Sequence, residues 1–211
     1  MTGIVHFDTF LLAGILLNLT PGNDTIFILT KSIAQGRKAG IMSALGIATG
    51  SLIHTTLAAL GFSVIIAKSI WVFTIIKYAG AAYLLYLGFN MVVQRSTFEA
   101  KITSSFSSIH LNKIYRDAVL TNVLNPKVAM FFIAFLPQFI DPLYTNSFVP
   151  FMLLGITFTT TGTIWCLVLA NFSAYLFVKL RSHSKFSAYL SKVCGAVLIG
   201  LGIKIALANR K

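Results

Sequence analysis

The sequence predicts an all-α polytopic membrane protein of about six transmembrane helices, arranged as two inverted repeats of three helices each. Hydrophobic residues make up 56% of the 211 residues and charged residues only 10%, whereas a soluble domain usually carries about 25% charged residues. The apolar runs are long and unbroken, which favours helices over a β-barrel of short alternating strands. The basic residues stand in short clusters between those runs, as they do in membrane proteins.

Six apolar segments are long enough to cross a bilayer, because a helix needs about 20 apolar residues to do so. Their approximate positions in chain order are 9–30, 40–67, 70–93, 118–140, one segment within 142–178, and 188–208. The longest polar stretch separates the third segment from the fourth. It divides the chain into a first three-helix repeat, a cytoplasmic linker and a second three-helix repeat, at residues 1–93, 94–117 and 118–211. A unit with an odd number of spans reverses its orientation when it is repeated, so the two halves are predicted to be inverted.

The net charge of +12 does not call for a nucleic-acid partner, because the positive-inside rule explains where the basic residues lie. They concentrate in the first, third and fifth connections, around Arg37, Arg116 and Arg181. Those connections are therefore predicted to be cytoplasmic. Both termini would face outward from a bacterial inner membrane, unless the first segment is re-entrant. The lipid bilayer is the expected partner, and formation of a homo-oligomer is left open.

Two of the segments contain a proline directly after a capping-type residue, at Thr20-Pro21 and Asn125-Pro126. Proline inside a continuous helix removes a hydrogen bond and clashes with the preceding turn. Thr and Asn are good N-cap residues, and proline is favoured at the first helical position. We therefore predict that helices 1 and 4 stop and restart at Pro21 and Pro126. Half-helix N-termini at mid-membrane depth commonly form substrate sites, although a simple proline kink is the alternative.

A charged residue adjoins each predicted break. Burying such a charge at mid-membrane depth costs roughly 2.5–3.5 kcal/mol, so it normally faces the protein interior and has a partner. The helix dipole favours Asp24 in the first turn of its half-helix and disfavours Lys127 in the first turn of the other. Lys127 therefore needs an anion, which could be Asp24, a substrate carboxylate, or each in turn. We predict a switchable pair, and a permanent structural ion pair is the alternative.

His54 lies in the middle of the second segment. Histidine titrates near neutral pH, which suits a proton relay, although a hydrogen-bonded interior histidine is the alternative. Gly46 with Gly50, and Ala196 with Gly200, form small-xxx-small pairs that predict close helix packing. The candidate substrate-binding or coupling residues are Asp24, Lys127, Pro21, Gly22, Asn23, Asn122, Asn125, Pro126 and His54.

The stretches 19–24, 77–88 and 122–127 together resemble the lysine exporter superfamily, and within it the homoserine/threonine efflux branch. This resemblance extends over nearly the whole chain. It implies a proton-motive-force-driven exporter of amino acids or related metabolites. Two residues depart from the family pattern: Asn23 stands where a second proline is common, and Ala118 stands where glycine is frequent.

The predicted function is secondary active export of a small neutral amino acid or related metabolite, coupled to the proton gradient. Asp24 would bind the coupling proton or the substrate ammonium, while Lys127 and the half-helix N-termini would hold the carboxylate. A divalent metal-ion exporter of the same superfamily is one alternative, but Cys166, Cys194 and His54 show no ligand spacing. A membrane-embedded enzyme is the other, but no nucleophile–base set is evident. We therefore expect no enzyme activity, no cofactor and no metal site.

Overall fold

A computed structural model describes residues 3–68, 70–93, 110–144, 147–173 and 184–207. The described chain is helical, with one isolated β-bridge and no longer strand. Its α-helices are α1 (Phe7–Leu19), α2 (Asn23–Gln35), α3 (Arg37–Lys68), α4 (Ile70–Val93), α5 (Leu111–Val123), α6 (Pro126–Met130), α7 (Phe148–Asn171) and α8 (Ser184–Leu207). A π-helical turn and 3-10 turns follow α6, at Phe131–Phe135, Leu136–Phe139 and Pro142–Tyr144. The all-α polytopic class is confirmed.

Two single helices and two bent pairs in the described chain are apolar and long enough to cross a membrane. The single helices are α3, over Arg37–Gly61, and α7. The pairs are α1 with α2, and α5 with α6 and its continuation to Phe139; each pair is bent by 47°. A bend of 47° keeps most of the chain direction, whereas a re-entrant hairpin would reverse it. In α4 and α8 the apolar stretches are shorter, at Tyr78–Val93 and Lys192–Ile203, so the total of six spans stays a prediction.

The predicted interruption at Pro126 is confirmed in detail. Asn125 has extended backbone and is the N-cap of α6, with Pro126 in the first turn. The side-chain oxygen of Asn125 accepts a hydrogen bond from the backbone N–H of Lys127 at 3.0 Å. The proline and its cap therefore restart the helix as the sequence predicts.

The first interruption is also confirmed, but its predicted N-cap is wrong. Thr20 ends α1 instead, and its hydroxyl donates to the carbonyl of Leu16 at 2.8 Å. Gly22, in extended backbone, is the N-cap of α2 and makes no side-chain hydrogen bond to it. Pro21 therefore lies between the two helices and not in the first turn of the second.

Helix α3 packs closely along α5, and the two run in the same direction. Gly46 lies against Tyr115 and Ala118, and Gly50 lies against Asn122 one turn further along both helices. A Cβ atom at Gly46 would stand 2.5 Å from the Tyr115 carbonyl oxygen. The packing predicted for Gly46 and Gly50 is confirmed, because only a residue without a side chain permits this approach.

The other two close helix pairs are antiparallel. On α3 and α7, Thr55 meets Gly155 while Gly40 meets Ala170. The same opposed order brings α4 against α8. Helices α3 and α7 are the predicted spans 2 and 5, and α4 and α8 are the predicted spans 3 and 6. The two members of each pair therefore run in opposite directions, which is the relation that an inverted repeat requires.

The packing of α8 corrects one prediction. Gly195 and Gly202 lie against α4, and Gly195 packs directly on Gly88. Nothing lies within 4 Å of a Cβ built on Gly200, and Ala196 is exposed. The packing predicted for Ala196 and Gly200 is therefore wrong, because the face turned to α4 is a different one.

The helix bounds also bear on the predicted division of the chain. Helix α5 begins at Leu111, before the predicted start at 118, so the linker is shorter at its C-terminal end than 94–117. The rest of that linker, 94–109, lies outside the described residues, as does the basic segment around Arg181. The division into two three-helix repeats stays a prediction.

The N-terminal segment lies on the same side as the connection after the fourth predicted span. The backbone N–H of Val5 donates to the Phe139 carbonyl at 2.9 Å, and the N–H of Asp141 donates to the Gly3 carbonyl at 2.9 Å. Arg37, at the start of α3, instead borders a groove with the end of α7. This arrangement agrees with alternating spans.

Candidate functional site

A polar cavity of about 40 Å³ lies where the two broken helices approach one another, closed in by α3 and α7. We call it the central cavity. The breaks contribute Asn18, Gly22, Asp24, Asn122 and Lys127 to its wall. A cavity needs roughly 10–15 Å³ to hold a water molecule, while ligand pockets usually measure about 300–1,000 Å³. This conformation has room for water only, so a solute can enter only after the walls move apart.

The two oxygens of the Asp24 carboxylate differ in their hydrogen bonding. Its Oδ2 accepts a hydrogen bond from the side-chain amide of Asn122 at 2.8 Å. Its Oδ1 is buried and has no hydrogen-bond partner among the described residues. An unpaired buried polar atom costs free energy, so this oxygen is suited to bind something that enters the central cavity.

Lys127 borders the same cavity but bonds to a different group. Its ammonium donates to the carbonyls of Leu17 at 2.9 Å and Thr20 at 3.0 Å. Both carbonyls belong to the last turn of α1, where the helix dipole favours a cation. The structure thus brings Asp24 and Lys127 to one cavity without a direct ion pair between them.

Side-chain hydrogen bonds join the two breaks to one another in both directions. Asp24, in the first turn of α2, is bound by Asn122 in the last turn of α5. Lys127, in the first turn of α6, is bound by carbonyls in the last turn of α1. Each restarting helix therefore reaches back to the end of the other broken span. A shift of α2 relative to α5 must disturb the first contact, and a shift of α6 relative to α1 must disturb the second.

His54 lies outside the central cavity and contacts the end of α5, next to the break between α5 and α6. Its Nε2 lies 3.3 Å from the backbone oxygen of Asn122, and its ring stacks on Phe132 with centroids 5.7 Å apart. It borders a separate, largely apolar groove of about 280 Å³ on the face of α3 that carries Leu57. This placement is that of a hydrogen-bonded interior histidine. Its role as a proton relay stays a prediction.

The remaining predicted residues lie beside the central cavity and do not line it. Asn125 is buried as the cap of α6, while Pro21 joins α1 to α2. Asn23 and Pro126 are exposed on the first turns of their half-helices. Their contribution is to shape the two breaks.

Sequence reasoning missed the residues that α7 contributes. Thr159 and Trp165 line the central cavity. The Thr159 hydroxyl and the Trp165 indole N–H are both buried, and neither has a hydrogen-bond partner in the described part of the chain. The available signal was the run of threonines at 159–163 in an otherwise apolar segment. That run indicates a polar helix face but does not say which threonine lies on it.

A cluster of phenylalanines lies between the central cavity and the N-terminal side of the protein. Phe158 borders the cavity and stacks on Phe131 at 4.2 Å between ring centroids. Phe131 packs on Phe135 at 5.0 Å, and Phe135 packs on Phe139 at 4.7 Å. We call these four residues the aromatic column. It extends from the wall of the cavity to the N-terminal segment, where the Phe139 carbonyl accepts from Val5.

The model of the LysE type translocator family matches residues 15–209. The chain belongs to this family. The resemblance to the lysine exporter superfamily is thereby confirmed, and the family is one of translocators and not of enzymes.

Several curated relatives of this LysE-type chain match over nearly its full length. The membrane protein YrhP of Bacillus subtilis is 36% identical, with 90% of this chain and 93% of the relative covered. An uncharacterized membrane protein of Vibrio cholerae is 32% identical, with 95% and 96% covered. The leucine efflux protein of Salmonella typhimurium is 27% identical, with 97% and 96% covered. No solved structure matches the chain.

Proposed function

We propose that this LysE-type chain exports a small neutral amino acid or related metabolite in exchange for protons, with Asp24 as the exchange site. The observation that supports this most directly is the free Oδ1 of Asp24, which is buried at the central cavity between two broken helices. Membership of a translocator family, together with an efflux protein among the relatives, supports export as the reaction.

The exchange follows because a proton and the substrate ammonium compete for one carboxylate, that of Asp24. A buried carboxylate without a counter-charge costs roughly 2.5–3.5 kcal/mol at mid-membrane depth, and either a proton or an ammonium group removes that cost. Both bind the same group, so one must leave before the other binds. Binding of a proton from outside therefore releases the amino acid outward, and binding of an amino acid from the cytoplasm releases the proton.

The hydrogen-bond donors proposed for the substrate carboxylate are the Lys127 ammonium and the first N–H groups of α2. The ammonium of Lys127 has a third N–H beyond the two that reach α1, and it lies beside Gly22 at the start of α2. Helix α2 has no side-chain cap, so its first N–H groups are available to an anion. The five-residue α6 is capped by Asn125, so we assign the carboxylate to the α2 end only.

The charges on the cavity wall favour a neutral, zwitterionic solute. Asp24 and Lys127 are the charged residues that line it, and their formal charges cancel. A zwitterion matches each of them with one pole and leaves no charge unpaired. A cationic solute such as lysine would bring a second positive charge with no acidic residue on the wall to receive it.

The location proposed for this cycle is a bacterial inner membrane, with both termini outside. The N-terminal segment and the aromatic column would then lie toward the exterior, and the basic start of α3, with the end of α7 beside it, toward the cytoplasm. Opening of the aromatic column would release the solute outward.

No specific observation favours the two alternatives. Metal export would need a cluster of ligands, and no group of three His, Cys, Asp or Glu side chains occurs in the described residues. A membrane-embedded enzyme would need a reacting set of side chains, and the central cavity offers a single carboxylate beside a lysine.

The test is flux in proteoliposomes under an imposed pH gradient, with radiolabelled neutral amino acids. The wild type should move at least one of them faster with the gradient than without it. Asp24→Asn should abolish the gradient-driven part, and Lys127→Ala should strongly raise the KM. Asp8→Asn, at an exposed position in α1, is the matched control and should behave as wild type. Normal gradient-driven flux through both Asp24→Asn and Lys127→Ala would refute the assigned roles.

A further inference from the structure

Thr159 of α7 differs from three nearby threonines in how its hydroxyl is bonded, and from the exposed Thr160 in being buried. Thr157, Thr161 and Thr163 each donate to a backbone carbonyl one turn earlier, at 2.7–3.1 Å, which is the usual arrangement in an apolar helix. The hydroxyl of Thr159 makes no such bond and finds no other partner within the described ranges, although the residue is only 7% exposed. Thr159 faces the central cavity, so the missing partner belongs to whatever enters there.

Two further oxygens on that wall are free in the same way. The amide of Asn122 has a fixed orientation because its nitrogen donates to Asp24, which leaves its Oδ1 free as an acceptor. Within the part of the chain that the structure describes, that oxygen and the Oδ1 of Asp24 are both buried without a hydrogen-bond partner. The residues that line the central cavity therefore carry two oxygens that can only accept, of which Asn122 Oδ1 packs against Gly50 of α3, and a hydroxyl that can accept as well.

We propose that Asp24, Asn122 and Thr159 form a three-acceptor subsite for a primary ammonium group, with Thr159 as the residue that determines amine selectivity. A primary ammonium has three N–H donors and one positive charge. The three oxygens can take one donor each, and the carboxylate neutralises the charge. The subsite rests on the proposed function, because it assumes that an amino acid enters the central cavity.

This arrangement discriminates against N-methylated solutes. A secondary ammonium has one donor fewer and leaves one buried oxygen unpaired, while a quaternary ammonium leaves all three unpaired. A site built to hydrogen-bond an N–H rejects an analogue that lacks it more strongly than an apolar site rejects a change in size. Amino acids with a free primary amine should therefore be preferred over their N-methyl and betaine derivatives.

The experiment compares primary and N-methylated amines in proteoliposomes. L-leucine, L-threonine and L-homoserine serve as probes, each with its N-methyl and N,N,N-trimethyl derivative as a competitor. In the wild type the N-methyl derivative should compete at least about 10-fold less well, and the trimethyl derivative less well still. Thr159→Val should raise the KM for the primary amine about 10-fold and leave competition by the N-methyl derivative nearly unchanged, so that selectivity falls.

Two variants separate this role from a structural one. Thr159→Ser keeps the hydroxyl and should restore selectivity, while Thr157→Val removes a hydroxyl bonded to its own helix and should leave both KM values unchanged. Equal competition by all three amine classes in the wild type overturns the subsite, even if Thr159→Val does not fold. Asp24-dependent amino-acid flux with unchanged selectivity in Thr159→Val overturns the subsite alone. If none of the probes is transported, the proposed function fails as well.

Discussion

At the residue scale, Lys127 shows how a cation is accommodated where its own helix disfavours it. The first turn of α6 repels a positive charge, but the side chain reaches the last turn of α1, whose free carbonyls attract one. Two hydrogen bonds, to Leu17 and Thr20, replace the anion that the sequence alone calls for. Lys127 thus holds the end of α1 at the first break, and its third N–H is the donor that we propose for the substrate.

Replacing Lys127 by methionine should therefore lower stability as well as transport. Lys127→Met keeps the length of the side chain but leaves two carbonyls of α1 without their donor, which costs about 1–3 kcal/mol for an unsatisfied buried group. For a chain of this size we expect the melting temperature in detergent to fall by several degrees. Lys127→Arg should recover part of the loss, because it restores a donor.

The control for this prediction is Lys113→Met, at an exposed position in α5, which should melt as the wild type does. If Lys127→Met melts at the wild-type temperature, the bonds to Leu17 and Thr20 do not stabilise the folded protein.

The sequence predicted which residues border the cavity better than it predicted their partners. Asp24, Lys127 and Asn122 were identified because polar residues beside a proline are costly in an apolar segment. The bond from Lys127 to α1 could not be predicted, because those carbonyls become acceptors only when α1 ends where it does. Thr159 was missed because most threonines in apolar helices bond to their own backbone, and its sequence surroundings do not set it apart.

At the scale of the elements, close packing of α3 on α5 positions Asn122. Gly46 and Gly50 permit that approach, and Asn122 in turn holds the carboxylate of Asp24. The spacing of small residues in α3 thus determines how closely the second break stands beside the first.

Gly46→Ala should destabilise the protein, although alanine is the better helix former by about 1 kcal/mol. The added Cβ would lie 2.5 Å from the Tyr115 carbonyl oxygen and 2.6 Å from the Ala118 Cβ, and backbone cannot swing aside as a flexible side chain can. We expect a net loss of about 1–3 kcal/mol, measured as a lower melting temperature in detergent.

Gly61→Ala is the matched control on the same helix, because no atom of the described residues lies within 4 Å of its added Cβ. It should leave the melting temperature unchanged or raise it. Equal effects of the two substitutions would show that α3 does not pack on α5 as described.

The presence of the helices and the position of the two breaks could be predicted from the sequence. Which face of a helix meets a neighbour could not. The bounds of α4 coincide with the predicted 70–93, because apolar residues end at both sides of it. The start of α5 was placed too late, because its first two turns are polar and hydropathy does not register them. In α8 several small residues lie close together, and spacing alone does not tell which face, that of Gly195 or that of Gly200, meets a neighbour.

At the scale of the whole molecule, the described conformation is closed to an amino acid. The central cavity holds about 40 Å³, and the aromatic column stands between it and the N-terminal side. The proposed transport requires the two predicted halves to open the cavity to each side in turn, as secondary transporters built from inverted repeats do. We propose that the contacts of Asp24 and Lys127 change in that movement.

The predicted orientation can be tested with reporter fusions. Alkaline phosphatase fused after the last residue should be active, because the C-terminus is predicted to face outward, while fusion within 94–109 should be inactive. A green fluorescent protein at the same two positions should give the opposite pattern. Phosphatase activity at 94–109 with none at the C-terminus would invert the orientation and, with it, the direction of export.

The most direct test of exchange at Asp24 is proton release on substrate binding. Purified protein in weakly buffered detergent solution is mixed with the amino acid that gives the greatest flux, and the pH change is followed across the acidic to neutral range. The wild type should release up to about one proton per bound amino acid, and Asp24→Asn should release none. Amino-acid binding by the wild type with no proton release at any pH, or equal release from Asp24→Asn, would contradict the account.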